Sequence, residues 1–145
     1  MLEVKFYDEV DDSLLKFAVI VSKSNGKWVF CKHKERNTYE CPGGHREEGE
    51  NILTTARREL YEETGALEYT LEPICVYSVK SIEEAIDEAV ETFGMLFYSD
   101  ISKFGELPNL EMERIELFEG LPEHWTYQKI QPLLLKKVES VLNLN

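Results

Sequence analysis

A chain of 145 residues with 43% hydrophobic side chains can bury one real core and is short for two. Its 28 acidic residues outnumber its 16 basic ones, giving a formal net charge of −12. That balance speaks against a protein that tracks a nucleic-acid duplex or docks on an anionic membrane, because it has no excess of Lys or Arg to neutralise phosphates.

The first twelve residues are charged from Glu3 onward and give no signal-peptide apolar segment. Phe17 to Ser22 is a short buried strand, Asn25-Gly26 a hairpin turn, and Trp28 to Cys31 the returning strand. A third extended piece, Thr38 to Cys41, runs into Pro42-Gly43-Gly44, which should end it. From about Glu50 to Thr64 the pattern turns helical, with Leu53, Ala56 and Leu60 on one stripe and Gly65 as a stop. Strands follow at Tyr69 to Val79 and Thr92 to Ser99, with another at Glu113 to Phe118; Ser81 to Glu91 between the first two fits a short capped helix or an acidic loop. Ile130, Leu133, Leu134, Val138, Val141 and Leu142 make an apolar stripe on a last helix from about Gln131 to Leu142, with Pro132 in its first turn. No linker, repeat or composition break divides residues 1–145, which read as one α/β (α+β) domain with a mixed sheet packed between helices. Cys31, Cys41 and Cys75 are scattered, without a CxxC pair, and fit reduced cysteines of a cytoplasmic protein. No apolar run approaches a membrane span.

Chemistry concentrates between Gly44 and Ala66. Glu59, Glu62 and Glu63 lie at i, i+3 and i+4, so their carboxylates share one helix face beside the apolar stripe. Like charges so close destabilise an exposed helix slightly, and a hard cation such as Mg²⁺ or Mn²⁺ offsets that repulsion. Arg58 reaches Glu62 one turn on and Glu50 at the helix start, as a strut rather than a reacting group. Gly43-Gly44 permit close approach of backbone to a ligand, and Gly65 takes the positive φ that ends the helix. Three glutamates alone would be an ordinary solvated face in so acidic a chain.

The frame around them is more specific. Gly44, Glu50, Arg58, Glu59, Leu60, Glu62, Glu63, Gly65 and Ala66 fit G-x5-E-x7-R-E-U-x-E-E-x-G-U, with U aliphatic and Ala66 smaller than usual. This resembles the signature of the Nudix hydrolase family. The resemblance implies a mixed sheet between helices with the signature as loop–helix–loop, and divalent ions held by Glu59, Glu62 and Glu63 with the Gly43 carbonyl. It also implies a substrate made of a nucleoside diphosphate linked to another group, cleaved by water. By it the base is Glu62 or Glu59, or a later acid such as Glu91 or Glu111. The reading is a Mg²⁺ (or Mn²⁺) enzyme that hydrolyses a nucleoside triphosphate, 8-oxo-dGTP among the candidates, to a monophosphate and pyrophosphate. Nucleotide sugars, dinucleoside polyphosphates and RNA 5′ ends are the alternative substrates, and a binding module without turnover is the alternative from another class.

Substrate contacts outside the glutamates are drawn from Lys32 and Arg36 in the basic stretch, His45 and Arg46 in the signature loop, and His124 and Trp125 ahead of the last helix. Tyr39, Phe97 and Tyr127 are further aromatics that could stack on a base, Phe97 fitting the core better. Monomer and homodimer are both compatible with the sequence.

Overall fold

The computed structural model describes residues 2–81 and 90–143. Its strands are β1 (Leu2–Tyr7), β2 (Leu15–Ser24), β3 (Lys27–His33), β4 (Tyr39–Glu40), β5 (Gly43–His45), β6 (Ala66–Ser81), β7 (Val90–Phe104) and β8 (Met112–Phe118); the helices are α1 (Ile52–Thr64) and α2 (Gln131–Leu142). All eight strands form one sheet in the order β1-β6-β7-β2-β3-β4, with β5 added to β2 and β8 to β3. β2 and β7 run parallel, and the other pairings are antiparallel.

Successive side chains of a strand point to opposite faces, and the sheet uses both. On one face Val21, Trp28, Phe30 and Leu96 pack with Leu134, Leu135 and Val138 of α2. On the other, Ala18, Ile20, Val29 and Phe97 pack with Ala56 and Leu60 of α1. The helices therefore sandwich the sheet, giving the α/β arrangement expected from the sequence.

β2 changes partner along its length. Phe17–Val19 pair with β5, whereas Ser22–Ser24 pair with β3. Between the two stretches the Ile20 N–H donates to Pro42 O at 2.9 Å, so the chain crosses this fork at Pro42. The expectation that Pro42-Gly43-Gly44 ends the extended run is corrected here. Pro42 interrupts it, but Gly43–His45 continue as a strand. Gly43 is needed there, because a Cβ would stand 2.4 Å from the Ala18 carbonyl oxygen.

Other expectations shift too. Leu2–Tyr7, not read as an element, pairs antiparallel with β6, and Val4 and Phe6 reach the α2-side core. α1 starts at Ile52 behind the cap Asn51, whose side chain accepts from Thr54 N. Its core-facing stripe is the partly buried Ile52 with the buried Ala56 and Leu60, and Leu53 is rotated out to 40% exposure. On α2, Leu133 and Val141 are likewise exposed, and Leu134, Leu135 and Val138 do the packing. Ser81 and Glu91 belong to β6 and β7, and most of the ambiguous stretch between them lies outside the described residues. All three cysteines are free and buried. No described helix is long and apolar enough to cross a membrane.

Leu60→Ala, at a fully enclosed position, should cost about 2–5 kcal/mol in urea unfolding. Leu133→Ala, at an exposed one, should stay within about 0.5 kcal/mol of the parent.

Candidate active site

The site is built on the first and last turns of α1 and on β5 beside it. At the entry to the helix the Glu50 carboxylate accepts from Glu47 N at 2.9 Å and from the Thr55 hydroxyl at 2.9 Å. At the exit, Gly65 takes φ +75° and its N–H closes on Tyr61 O; a Cβ there would stand 3.0 Å from the Gly105 carbonyl oxygen. Gly105 N–H in turn donates to Gly65 O at 2.7 Å, tying the helix end to the loop that leads into β8. The far end of that loop is held by Lys34 N–H on Glu111 O at 3.0 Å.

Arg58 is the hub. Its Nε donates to Glu50 Oε2 at 2.7 Å and its Nη2 to Glu50 Oε1 at 3.1 Å, a two-pronged grip on one carboxylate. Nη2 also reaches the His45 carbonyl of β5 at 2.9 Å, and Nη1 reaches Glu59 Oε1 at 2.7 Å and Glu62 Oε2 at 3.2 Å. One guanidinium thus joins the loop, the strand and the helix. The Arg58 hydrogen bond is the main reason the Glu50 carboxyl is held down to about 2, against a smaller opposing effect of burial.

The other acids sit differently. Glu63 is 6% exposed, and its Oε1 accepts from Gly43 N–H at 2.8 Å. Burial pushes its carboxyl up to about 9, the Gly43 amide pulls it part of the way back, and Glu59, Glu40 and Glu111 add to the rise. Glu59 is also raised, chiefly by burial, with Arg58 opposing and Glu62 and Glu111 reinforcing. Its carboxylate lies over Gly44, where a Cβ would come within 2.6 Å of it. Glu62 is the most open of the three, with a third of its side chain exposed.

These groups wall an acidic cleft of about 330 Å³, lined by Glu47, Arg58, Glu59, Glu62, Glu63, Leu110 and Glu111. Five carboxylates face one guanidinium there, all hard oxygen donors in a water-accessible space, which is the chemistry that suits Mg²⁺ or Mn²⁺. Glu59 and Glu62 are turned onto Arg58, and no three acidic, His or Cys groups among the described residues converge on a common point. The fit to a divalent ion therefore lies in the donor set and in two carboxyls made hard to ionise by burial without enough positive charge.

A second cleft of about 300 Å³ lies on the α2 side, mostly apolar, with Phe17, Val19, Tyr77, Val79, Leu134 and Gln131 among its walls. Gly43 and Gly44 line it as well, so the two glycines form the shelf between an acidic space and an apolar one.

The remaining residues singled out from the sequence are dispersed. His45 lines the apolar cleft with its ring 4.4 Å from Phe17. Arg46 is engaged by Asp12 at 2.9 Å and by the Glu50 carbonyl at 2.7 Å. Lys32, Arg36, His124 and Trp125 line neither cleft. Lys32 is buried and paired with Glu113, Arg36 is paired with Glu40, the His124 carbonyl accepts from Tyr39 N–H, and Trp125 packs edge-on against Phe30. Glu111 lines the acidic cleft, while the Glu91 carboxylate is occupied by the Tyr7 and Ser78 hydroxyls. Sequence reasoning missed Glu47, Tyr77 and Gln131. Gln131 did carry a signal, as a polar residue opening an apolar helical stripe beside Pro132.

The NUDIX domain model matches residues 13–126, most of the chain, and the protein belongs to that family. Membership places it among the Nudix diphosphatases and pyrophosphohydrolases, a class that typically depends on divalent metal. Over 99% of its length it is 29% identical to a protein of Bacillus subtilis (strain 168), provisionally named the 8-oxo-dGTP diphosphatase YtkD, of which the match covers 86%. The crystal structure of the Bacillus subtilis pyrophosphohydrolase BsRppH (E68A mutant) superposes with a TM-score of 0.79 at 25% identity, covering 99% of this chain and 93% of that one. A UDP-X diphosphatase shares the fold at a TM-score of 0.71 and 15% identity, over 93% of this chain and 66% of the other.

The raised Glu63 carboxyl has a consequence for stability. Its folded value of about 9 lies above its ordinary 4.5, so the native state holds the proton that the unfolded chain releases. The contribution is complete below 4.5 and is lost as pH rises toward 9. Glu63→Gln is neutral in both states and keeps an oxygen for Gly43 N–H. Without divalent metal its melting temperature, relative to the parent, should therefore climb steadily across that window.

Proposed function

We propose that the protein is a Mg²⁺-dependent (or Mn²⁺-dependent) hydrolase that cleaves a nucleoside triphosphate to a nucleoside monophosphate and pyrophosphate, acting on modified nucleotides such as 8-oxo-dGTP. The observation that carries this reading is the stretch Gly43-Gly44, which lines the apolar cleft while lying against Glu63 and Glu59 of the acidic one. A nucleotide has the matching two-part character: a flat, largely apolar base and a polyanionic chain. The name of the Bacillus relative supports the substrate class.

In this reading Glu59, Glu62 and Glu63, with the Gly43 carbonyl, hold the metal. When bound, it supplies charge neutralisation at the phosphate oxygens and acidifies a water. The protein's own groups do the rest. Arg58 fixes the carboxylates in place and keeps Glu50 ionised. Glu62, the most accessible of the three, takes the proton of the attacking water, with Glu111 on the same cleft as the other candidate. Water oxygen bonds to one phosphorus of the α–β anhydride, the bridging bond at that phosphorus breaks, and monophosphate and pyrophosphate separate. The apolar cleft holds the base, and His45 and Phe17 offer an aromatic surface at its side.

A panel of nucleotides assayed with Mg²⁺ for phosphate and pyrophosphate decides the matter, with absence of turnover on every nucleotide counting against the hydrolase. Glu63→Gln and Glu59→Gln should each lower kcat by about a hundredfold or more while the far-ultraviolet spectrum stays native, since a catalytic metal supplies several kcal/mol. A chelator should abolish the parent's activity, and added Mg²⁺ should restore it.

A further inference from the structure

The apolar cleft contains two polar side chains that the fold leaves with unused hydrogen-bonding groups. Gln131 is 5% exposed and Tyr77 is 6% exposed, and both line the cleft. Gln131 Oε1 accepts from Cys41 N–H at 2.8 Å, which fixes the carboxamide: the acceptor end serves the backbone and the NH₂ end is left over. Among the described residues nothing accepts from that Nε2 and nothing pairs with the Tyr77 hydroxyl. Neither atom is sealed off, because Ser99 Oγ is the one fully enclosed side-chain polar atom without a partner among the described residues. Their remaining exposure opens on the cleft they line.

The placement of Tyr77 is built into the sheet. Its ring lies across β7 at Gly94, where a Cβ would come within 2.6 Å of the hydroxyl oxygen. The α2-side placement of Gln131 follows from its position as the first residue of the helix, with Leu134 and Leu135 buried just beyond it. Buried polar groups in folded proteins are paired as a rule, and leaving one unpaired is costly. In a cleft walled largely by Phe17, Val19, Val79, Ile130 and Leu134, with Glu40, His45, Thr92 and Tyr127 also on its walls, buried groups with a hydrogen bond to spare are what orient a ligand.

We propose that Gln131 and Tyr77 read the hydrogen-bonding edge of the base, and that Gln131 selects bases that present a ring carbonyl over those that present an amino group. This rests on the nucleotide reading above. A hydroxyl can donate or accept, so Tyr77 serves either kind of base. Gln131 cannot adapt in that way, because turning its carboxamide over would strip Cys41 N–H of its acceptor. A carbonyl oxygen completes the free N–H; an amino group sets donor against donor.

Calorimetric binding of IMP and AMP to the full chain isolates this selection from turnover, since neither monophosphate has a phosphoanhydride to cleave and the two purines differ only on one edge, oxo beside a ring N–H in one and amino beside a bare ring nitrogen in the other. The parent should bind IMP about tenfold more tightly than AMP. Tyr77→Phe removes an oxygen that has no protein partner, so the melting temperature should hold while affinity for both ligands falls several-fold. Gln131→Glu keeps an oxygen for Cys41 N–H and, ionised in alkaline buffer, sets a second acceptor where the donor stood; the preference should vanish or invert. Equal affinities in the parent, no binding of either ligand, or an IMP preference unchanged in Gln131→Glu would overturn the proposal. The predicted binding pattern in a protein that hydrolyses no nucleotide would support it while counting against the hydrolase alone.

Discussion

The geometry of this site depends on one side chain. Arg58 grips Glu50 with two nitrogens, holds the β5 carbonyl of His45, and reaches Glu59 and Glu62. Other bonds tie these pieces in pairs, Gly43 N–H to Glu63 and the Thr55 hydroxyl to Glu50, but Arg58 is the cation that joins loop, strand and helix at once where their negative charge accumulates. A guanidinium suits the task because its donors lie in a fixed plane and it stays ionised at any pH the protein meets. A lysine could supply the charge but not the simultaneous directions.

That hub divides the carboxylates into two populations. Glu50 is spent on Arg58 and strongly acidic, so it is part of the frame. Glu59 and Glu63 are made reluctant to ionise chiefly by burial, with Glu111 adding to both, so they are the groups with something to gain from a cation. The acidic cleft carries more negative charge than its own counter-charge can settle. A chain with a net charge of −12 can therefore attract a polyanion, provided that the cation arrives with it or before it.

How far this was legible in the sequence depended on how local each feature is. The acidic helix was readable because Glu59, Glu62 and Glu63 acquire their shared face from helical spacing alone, and because Gly44, Glu50, Arg58 and Gly65 stand at fixed distances from them. The sandwich was readable from the alternation of strand and helix patterns. The apolar cleft was not, because Phe17, Tyr77 and Gln131 meet only through sheet register and the docking of α2. β1 was hidden by its charges: Leu2, Val4 and Phe6 alternate, but Glu3 and Lys5 made the segment look like a solvated terminus. Lys32 misled for the opposite reason, a cation in sequence that proves to be buried and paired on the far side of β3 from Cys31.

The loop from Gly105 to Glu111 is tied at one end to the close of α1 through Gly65 and at the other to Lys34 in the turn that follows β3. A wall anchored at both ends does not swing. In the proposed hydrolase the acidic cleft would admit or refuse a phosphate chain by the width it already has, as a gauge does, and a ligand that fits would meet it with little ordering left to be done. Discrimination of that kind is bought by rigidity in advance, and it makes the helix end and the loop that faces it a single mechanical part.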